Sequence, residues 1–305
     1  MTSTQTAEHC RPALRRHCLT TGEQPRASDL AQDVLELDVA LRAPSRWERL
    51  RNNSTARKIM LLAALALVWE AYARSLNNPL LFPTFSGAVF TLVASMASGE
   101  LLRASLFTIA LLLKGYLAGL ALAALLTAFA GATRIGADFL ETLAGMFNPL
   151  PSIALLPLAL VWFGLGDGSV IFVLIHAVLW PVALNAHAGC RSVSTTLRMA
   201  GQNYGLSQAG FIARILIPGA FPSILTGLKI GWAFAWRTLI AAELVFGVSS
   251  GSGGLGWYIF EHKNQLLISH VFAGLLTVVL LGLLVEHLVF KTVERRTVVR
   301  WGMQT

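Results

Sequence analysis

The residues of this chain with most chemistry to offer are ionisable side chains set within apolar runs: Glu70, Lys114, Arg237, Glu243 and Glu286, with His176 and His187. A charge surrounded by hydrocarbon is costly, so each of these must face an opposite charge, a polar cavity or a passing solute. On a helix turning 100° per residue, Trp232, Trp236, Leu239 and Glu243 share one narrow stripe, and Arg237 stands about 120° from Glu243. The two therefore do not pair along one helix, and each needs a partner elsewhere. Two readings remain open: interhelical ion pairing, for example Lys114 with Glu243, or a path lined by Arg237, Trp236, Glu243 and Lys114.

Other patterns offer less. No lysine follows a glycine, so the G-x-x-x-x-G-K-[ST] phosphate loop is missing and the chain does not bind ATP by that device. Gly247-Val248-Ser249-Ser250-Gly251 matches the letters of a nucleophile elbow, with Asp167, His262 and His270 as conceivable partners. That elbow requires a strand before the serine, whereas the run before Gly247 reads as a membrane helix. Gly251–Gly256 is more simply a flexible hinge. The repeated His9-Cys10 and His17-Cys18 lack zinc-type spacing, and no metal site is expected. Three cysteines in a chain this long make no disulfide framework.

The elements that position these residues follow from composition. With 305 residues, 55% hydrophobic and 13% charged, and a mean hydropathy of +0.62, the chain has too little polar surface for a water-soluble globule. Apolar runs long enough to cross about 30 Å of hydrocarbon lie near Ile59–Leu76, Ala104–Ala130, Phe139–Gly164, Val170–Gly189, Ile224–Gly247 and Ser269–Phe290. Six helical crossings are expected, because backbone in lipid must satisfy its own hydrogen bonds. The net charge of +8 does not point to nucleic acid, since eighteen of the 24 Lys and Arg fall on one side if the spans alternate. Arg74, Arg103 and Lys263 fall on the other, which places both termini and the segment Met199–Pro218 in the cytoplasm.

Residues 1–57 read as a retained cytoplasmic tail without a signal sequence, holding a short amphipathic helix over Asp29–Arg42 and a basic, Trp47-bearing elbow, the alternative being a disordered basic leader. Residues 58–100 hold the first span and a helix lying along the outer surface. Residues 101–292 form the main membrane core with a cytoplasmic loop at 191–222, and 293–305 form a cytoplasmic C-terminal tail. Gly115-x-x-x-Gly119 and Gly227-x-x-x-Gly231 are small-residue ridges for close helix packing.

The polar stretch MAGQNYGLSQAGFIARILIP, Met199–Pro218, resembles the "EAA" loop of ABC-importer permeases. Met199, Ala200, Gly201, Gly205, Ile215 and Pro218 stand at that pattern's offsets. Pro149–Pro157 followed by Trp162-Phe163-Gly164-Leu165-Gly166 looks like the signature of the nitrate/sulfonate/taurine permease subfamily. Leu225–Ile230, Ala241-Ala242-Glu243, Gly254-Leu255-Gly256 and Glu294-Arg295-Arg296 with Trp301 agree in order and spacing. The resemblance covers roughly residues 100 to 301.

It implies an all-α integral membrane protein of the type I ABC importer permease fold. The chain would be no enzyme and carry no cofactor, with ATP and Mg bound by two separate ATPase subunits. A homodimer in the bacterial inner membrane and a periplasmic or lipid-anchored binding protein complete the implied assembly, which has no nucleic acid. The loop residues Met199, Ala200, Gly201, Gly205, Leu206, Ile215 and Pro218 would seat a coupling helix in the ATPase, with Pro218 ending the loop where the fifth span begins. The departure is Met199 where the family usually has Glu, and Gly201 where it has Ala; a thioether packs into an apolar groove but cannot pair with an arginine. The implied cargo is a small anion of the sulfonate, taurine, nitrate or bicarbonate class. The alternative is a secondary transporter or channel that works without ATP.

Overall fold

The computed structural model describes residues 54–246 and 253–300, and every regular element among them is helical. The Asp29–Arg42 helix, the Trp47 elbow, both His-Cys pairs and the Gly247–Gly251 motif lie outside the described residues. Residues up to Leu67 group apart from the unit Val68–Thr305. The described part of the former is the opening of helix α1, Ser54–Leu76.

Within the larger unit, α2 (Phe85–Ala97) is a 13-residue apolar helix capped by Thr84, whose hydroxyl accepts from the Gly87 N–H at 3.1 Å. Helix α3 (Glu100–Ala132) leads directly into α4 (Arg134–Phe147), and Thr133 caps the start of α4. The expected third crossing, Phe139–Gly164, is not one helix. It breaks after α4 into a short 3-10 turn and α5 (Leu156–Phe163), with the two halves bent by 86°. Pro149 and Pro151 account for the break: each lacks the N–H that would carry the helix on, although Asn148 before Pro149 keeps helical angles (φ −63°, ψ −35°).

Helix α6 (Asp167–Ser192) is the centre of the unit. Two thirds of its apolar window is buried (67%), against 33% for α3 and 17% for the long helix that includes α9 (Ile217–Phe246). Both glycine ridges meet this one helix. A Cβ on Gly119 would stand 2.8 Å from the Val178 side chain, and one on Gly231 3.0 Å from Val182 and 3.5 Å from Val178. In lipid, where burying hydrocarbon gains little, such close backbone approach is what holds helices together.

Between α6 and α9 lies the polar segment: α7 (Thr195–Asn203), a turn at Gly205, the short α8 (Gln208–Phe211) and a π turn at Ile212–Leu216. Pro218 does not end this segment. Helical backbone runs unbroken from Gln208 to Val245, 38 residues, so the fifth long helix starts well before the apolar run that announced it. The π turn just ahead of Pro218 absorbs the hydrogen bond that the proline cannot make.

After α9 comes a helix not anticipated in the sequence, α10 (Leu255–Asn264), followed by α11 (Ile268–Val285) and, beyond a π turn, α12 (Lys291–Glu294). Of the glycines read as a flexible hinge, Gly254 and Gly256 form the packed start of α10. Gly254, Leu255 and Gly256 are all buried. A buried carboxyl group, that of Glu243 on α9, closes on them: Gly256 N–H donates to Oε2 at 2.8 Å, and the Thr108 hydroxyl of α3 donates to both oxygens at 2.9 and 3.0 Å. Thr108 Oγ1 in turn accepts from Leu255 N–H at 2.8 Å. Two free N–H groups of the first turn of α10 are thereby satisfied from two other helices. A Cβ on Gly254 or Gly256 would collide with Glu243, which explains why both positions are glycine.

Glu243→Ala leaves the Gly256 N–H and the Thr108 hydroxyl without their acceptor and is expected to cost about 1–3 kcal/mol. Glu243→Gln, which keeps one acceptor oxygen, should lose less. The melting temperatures of the purified variants in detergent decide: an alanine variant as stable as the parent would mean that α10 is held by its apolar contacts alone.

Candidate functional site

Two regions concentrate exposed or unsatisfied chemistry, and α9 with its leading turns connects them. The first is the α7–α8 loop. Gly205 sits at φ +63°, the left-handed region in which a side chain is strained. Leu206 N–H reaches back to the Gly201 carbonyl at 3.3 Å and Tyr204 N–H to that of Ala200 at 3.0 Å, closing α7 in a Schellman-type turn. Ser207 then starts α8 by accepting from Gly210 N–H.

The loop is braced from behind. Arg198 donates through Nε to the Val193 carbonyl at 3.2 Å and through Nη2 to that of Cys190 at 2.6 Å, fixing α7 to the C-terminal end of α6. Gly201 is buried, and a Cβ there would stand 2.5 Å from Ile215 Cδ1 and 2.9 Å from Phe211. Its substitution for alanine therefore makes room for those two side chains. Ile215 and Pro218 are half-buried on the supporting side, as is Leu206. On the outward side, Met199 (60% exposed), Leu197 and Tyr204 stand exposed among the described residues. A loop whose backbone is fixed and whose apolar side chains face out has the form of a docking surface.

The second region is a cavity of about 460 Å³ where the Pro149–Pro151 break meets α6 and α9. Its polar lining is Arg237 and Thr238 from α9, His176 and Trp180 from α6, and Asn148 and Ser152 from the break. Arg237 is exposed; its Nε donates to the Ala233 carbonyl at 3.1 Å and its guanidinium lies 5.0 Å from the centre of the Phe234 ring. No carboxylate among the described residues pairs with it. Ser152 Oγ and His176 Nδ1 are 3.1 Å apart. With the Ser152 hydroxyl donating, His176 Nε2 carries the ring proton; that atom and Trp180 Nε1 are closed off from the opening and have no hydrogen-bond partner among the described residues. The Arg237 guanidinium is the exposed charged donor of the cavity, able to meet an anion.

The other residues expected on a path stand elsewhere. Lys114 lies 3.4 Å from Asp167, the first residue of α6, and not beside Glu243. Glu243 is 4% exposed within the α10 clamp, and Trp236 is packed between the two main clusters of buried side chains. The stripe Trp232–Trp236–Leu239–Glu243 is thus the inward face of α9, and Arg237 alone of the four path residues opens into the cavity. Glu70 accepts from the Ser86 N–H at 3.0 Å and from Arg74, holding the start of α2. Glu286 is exposed. Asn148, Ser152, Trp180 and Thr238 were missed; the paired prolines were the available signal, since they open the chain where the cavity forms.

Two segments quoted for the family resemblance also meet in space. Lys229 on α9 and Glu294 on α12 form an ion pair at 2.8 Å, just as Glu243 meets Gly254–Gly256.

Residues 115–298 match the family model described as "Binding-protein-dependent transport system inner membrane component". A protein of Methanocaldococcus jannaschii named as an ABC transporter permease is 30% identical over 234 residues, 75% of this chain and 86% of that one. The taurine transport system permease protein of Escherichia coli is 31% identical over 265 residues, 82% of this chain and 92% of its own. A nitrate import permease protein of Synechocystis is 31% identical over 159 residues, 52% and 56% of the two chains. With the loop, the broken helix and the small-residue ridges all inside the matched region, the chain belongs to the family of binding-protein-dependent transport system inner membrane components, the membrane permeases of ABC transporters.

Proposed function

We propose that this chain is the permease of an ATP-driven importer for a small anion of the sulfonate, taurine, nitrate or bicarbonate class, working as a homodimer with two separate ATPase subunits and an external binding protein. The observation that carries the reading is the α7–α8 loop: a braced backbone that turns Leu197, Met199 and Tyr204 outward. ATP and its magnesium ion would sit on the ATPase subunits. Both termini and the loop would face the cytoplasm, as the distribution of Lys and Arg indicates. Met199 makes the docking contact an apolar one, without the carboxylate usual at that position.

Closure of the ATPase dimer would move the paired loops, and alternating access would follow from rearrangement of the helices joined to them. The cavity at Arg237 is the natural meeting place for the solute. A guanidinium with no carboxylate partner among the described residues suits a sulfonate, nitrate or bicarbonate oxygen better than a cation. The names of the taurine and nitrate relatives support the same class.

Reconstitution tests both halves. With its ATPase subunits and binding protein in proteoliposomes, the chain should take up its anion only when ATP is present; uptake driven by an ion gradient alone would establish the secondary-transporter reading instead. Gly205→Val forces a β-branched residue into a left-handed turn, at a cost of about 1–2 kcal/mol, and should sharply lower ATP-dependent uptake while the protein still inserts and folds. Arg237→Gln should reduce uptake by about tenfold or more, the equivalent of one charge-assisted hydrogen bond, with the ATPase complex intact and Arg237→Lys in between. Unchanged uptake by Arg237→Gln would remove the cavity from the path.

A further inference from the structure

A second cavity, of about 640 Å³, opens where the end of α3 and the start of α4 meet the last turns of α6 and the base of α7. Its polar lining is Arg134, Arg191, Arg198 and His187, with Asp138 and Glu141. Glu141 is taken by Arg191 at 3.1 Å, so two arginines face the single remaining carboxylate, Asp138. Two carbonyls at the C-terminal end of α6, those of Cys190 and Val193, are bonded by Arg198. The 14-residue helix α4 starts at the cavity with the positive end of its dipole, opposite the negative end of α3, whose last residues Ala130 to Ala132 line the same space. His187 is 8% exposed and lines the same space; its buried Nε2 has no hydrogen-bond partner among the described residues.

The rim of this cavity is apolar. Ile135 (78% exposed) and Phe139 (47%) stand one turn apart on α4, and Met146 continues the exposed apolar side. Phe129 at the end of α3 lies edge-on to Phe139, 6.1 Å between ring centres. A basic pocket at the polar end of long apolar helices, edged by exposed hydrocarbon, matches a ligand with a phosphate at one end and acyl chains at the other. A free phosphate ion explains the arginines but leaves the exposed Ile135 and Phe139 without a role.

We propose that this cavity binds the phosphate of an anionic phospholipid, with the acyl chains lying along Ile135 and Phe139 of α4. The site borders Arg198, the residue that ties α7 to α6, so bound lipid stiffens the base of the α7–α8 loop from the membrane side. The inference stands whether or not an ATPase docks on that loop.

The test uses the full-length chain, delipidated in detergent and followed by thermal unfolding. Short-chain phosphatidylglycerol should raise the melting temperature at a concentration about tenfold lower than phosphatidylcholine does, and inorganic phosphate should not substitute for it. Arg134→Gln, a change at an exposed position that leaves the lipid-free melting temperature in place, should remove most of that preference. Arg134→Lys should keep it. Equal protection by the two lipids, or an Arg134→Gln variant that retains the preference, overturns the proposal; inorganic phosphate that protects as well as phosphatidylglycerol and displaces it overturns the assignment to a lipid.

Discussion

The structure depends above all on how helix ends are closed where water is scarce. Each end of an α-helix leaves four N–H or C=O groups without an intrahelical partner, and in hydrocarbon none of them can turn to solvent. This chain settles several ends with side chains sent from other helices. Glu243 and Thr108 close the start of α10, Glu70 closes the start of α2, and Arg198 closes the end of α6. The signs agree with the helix dipole in every case, carboxyl groups at N-termini and a guanidinium at a C-terminus. Because each closing group belongs to a different helix from the end it closes, satisfying the backbone also fixes the arrangement of the bundle.

Tight packing around α6 then positions the functional features. Its flanks receive the Gly115–Gly119 ridge of α3 and the Gly227–Gly231 ridge of α9, with Val178 touching both. The same helix contributes His176 and Trp180 to the Arg237 cavity, and its last turns anchor the α7–α8 loop through Arg198. Cavity and loop are therefore built from one central helix, and neither can shift without disturbing contacts that leave no space for an added methyl group.

Much of this was legible in the sequence, and the misses have definite causes. Apolar length located the long helices, and the glycine spacing located the ridges, since both signals are local. Gly205 was readable because a positive φ has few other solutions. The partners of the buried ionisable groups were not readable: Lys114 meets Asp167 from a helix far along the chain, and Glu243 meets backbone N–H groups, which carry no signature in side-chain composition. Gly254–Gly256 looked like a hinge because glycine marks both free loops and places where another group comes too close for a Cβ; only the position of Glu243 separates the two. The bend within the Phe139–Gly164 run was not legible because hydropathy averages over Pro149 and Pro151; the two halves, bent by 86°, still make a sixth crossing if they count as one span.

The continuity from Gln208 to Val245 bears on how the polar loop is joined to the rest. The π turn at Ile212–Leu216 precedes Pro218, and Pro222 also lies inside the run, yet helical backbone continues past both. Gln208, the Gly227–Gly231 ridge, Arg237 and Glu243 therefore stand on one stretch of helix, and the ridge packed on α6 lies between the loop and the cavity. On the proposed function, a displacement of α8 by an ATPase would be passed along that stretch and not lost at a joint.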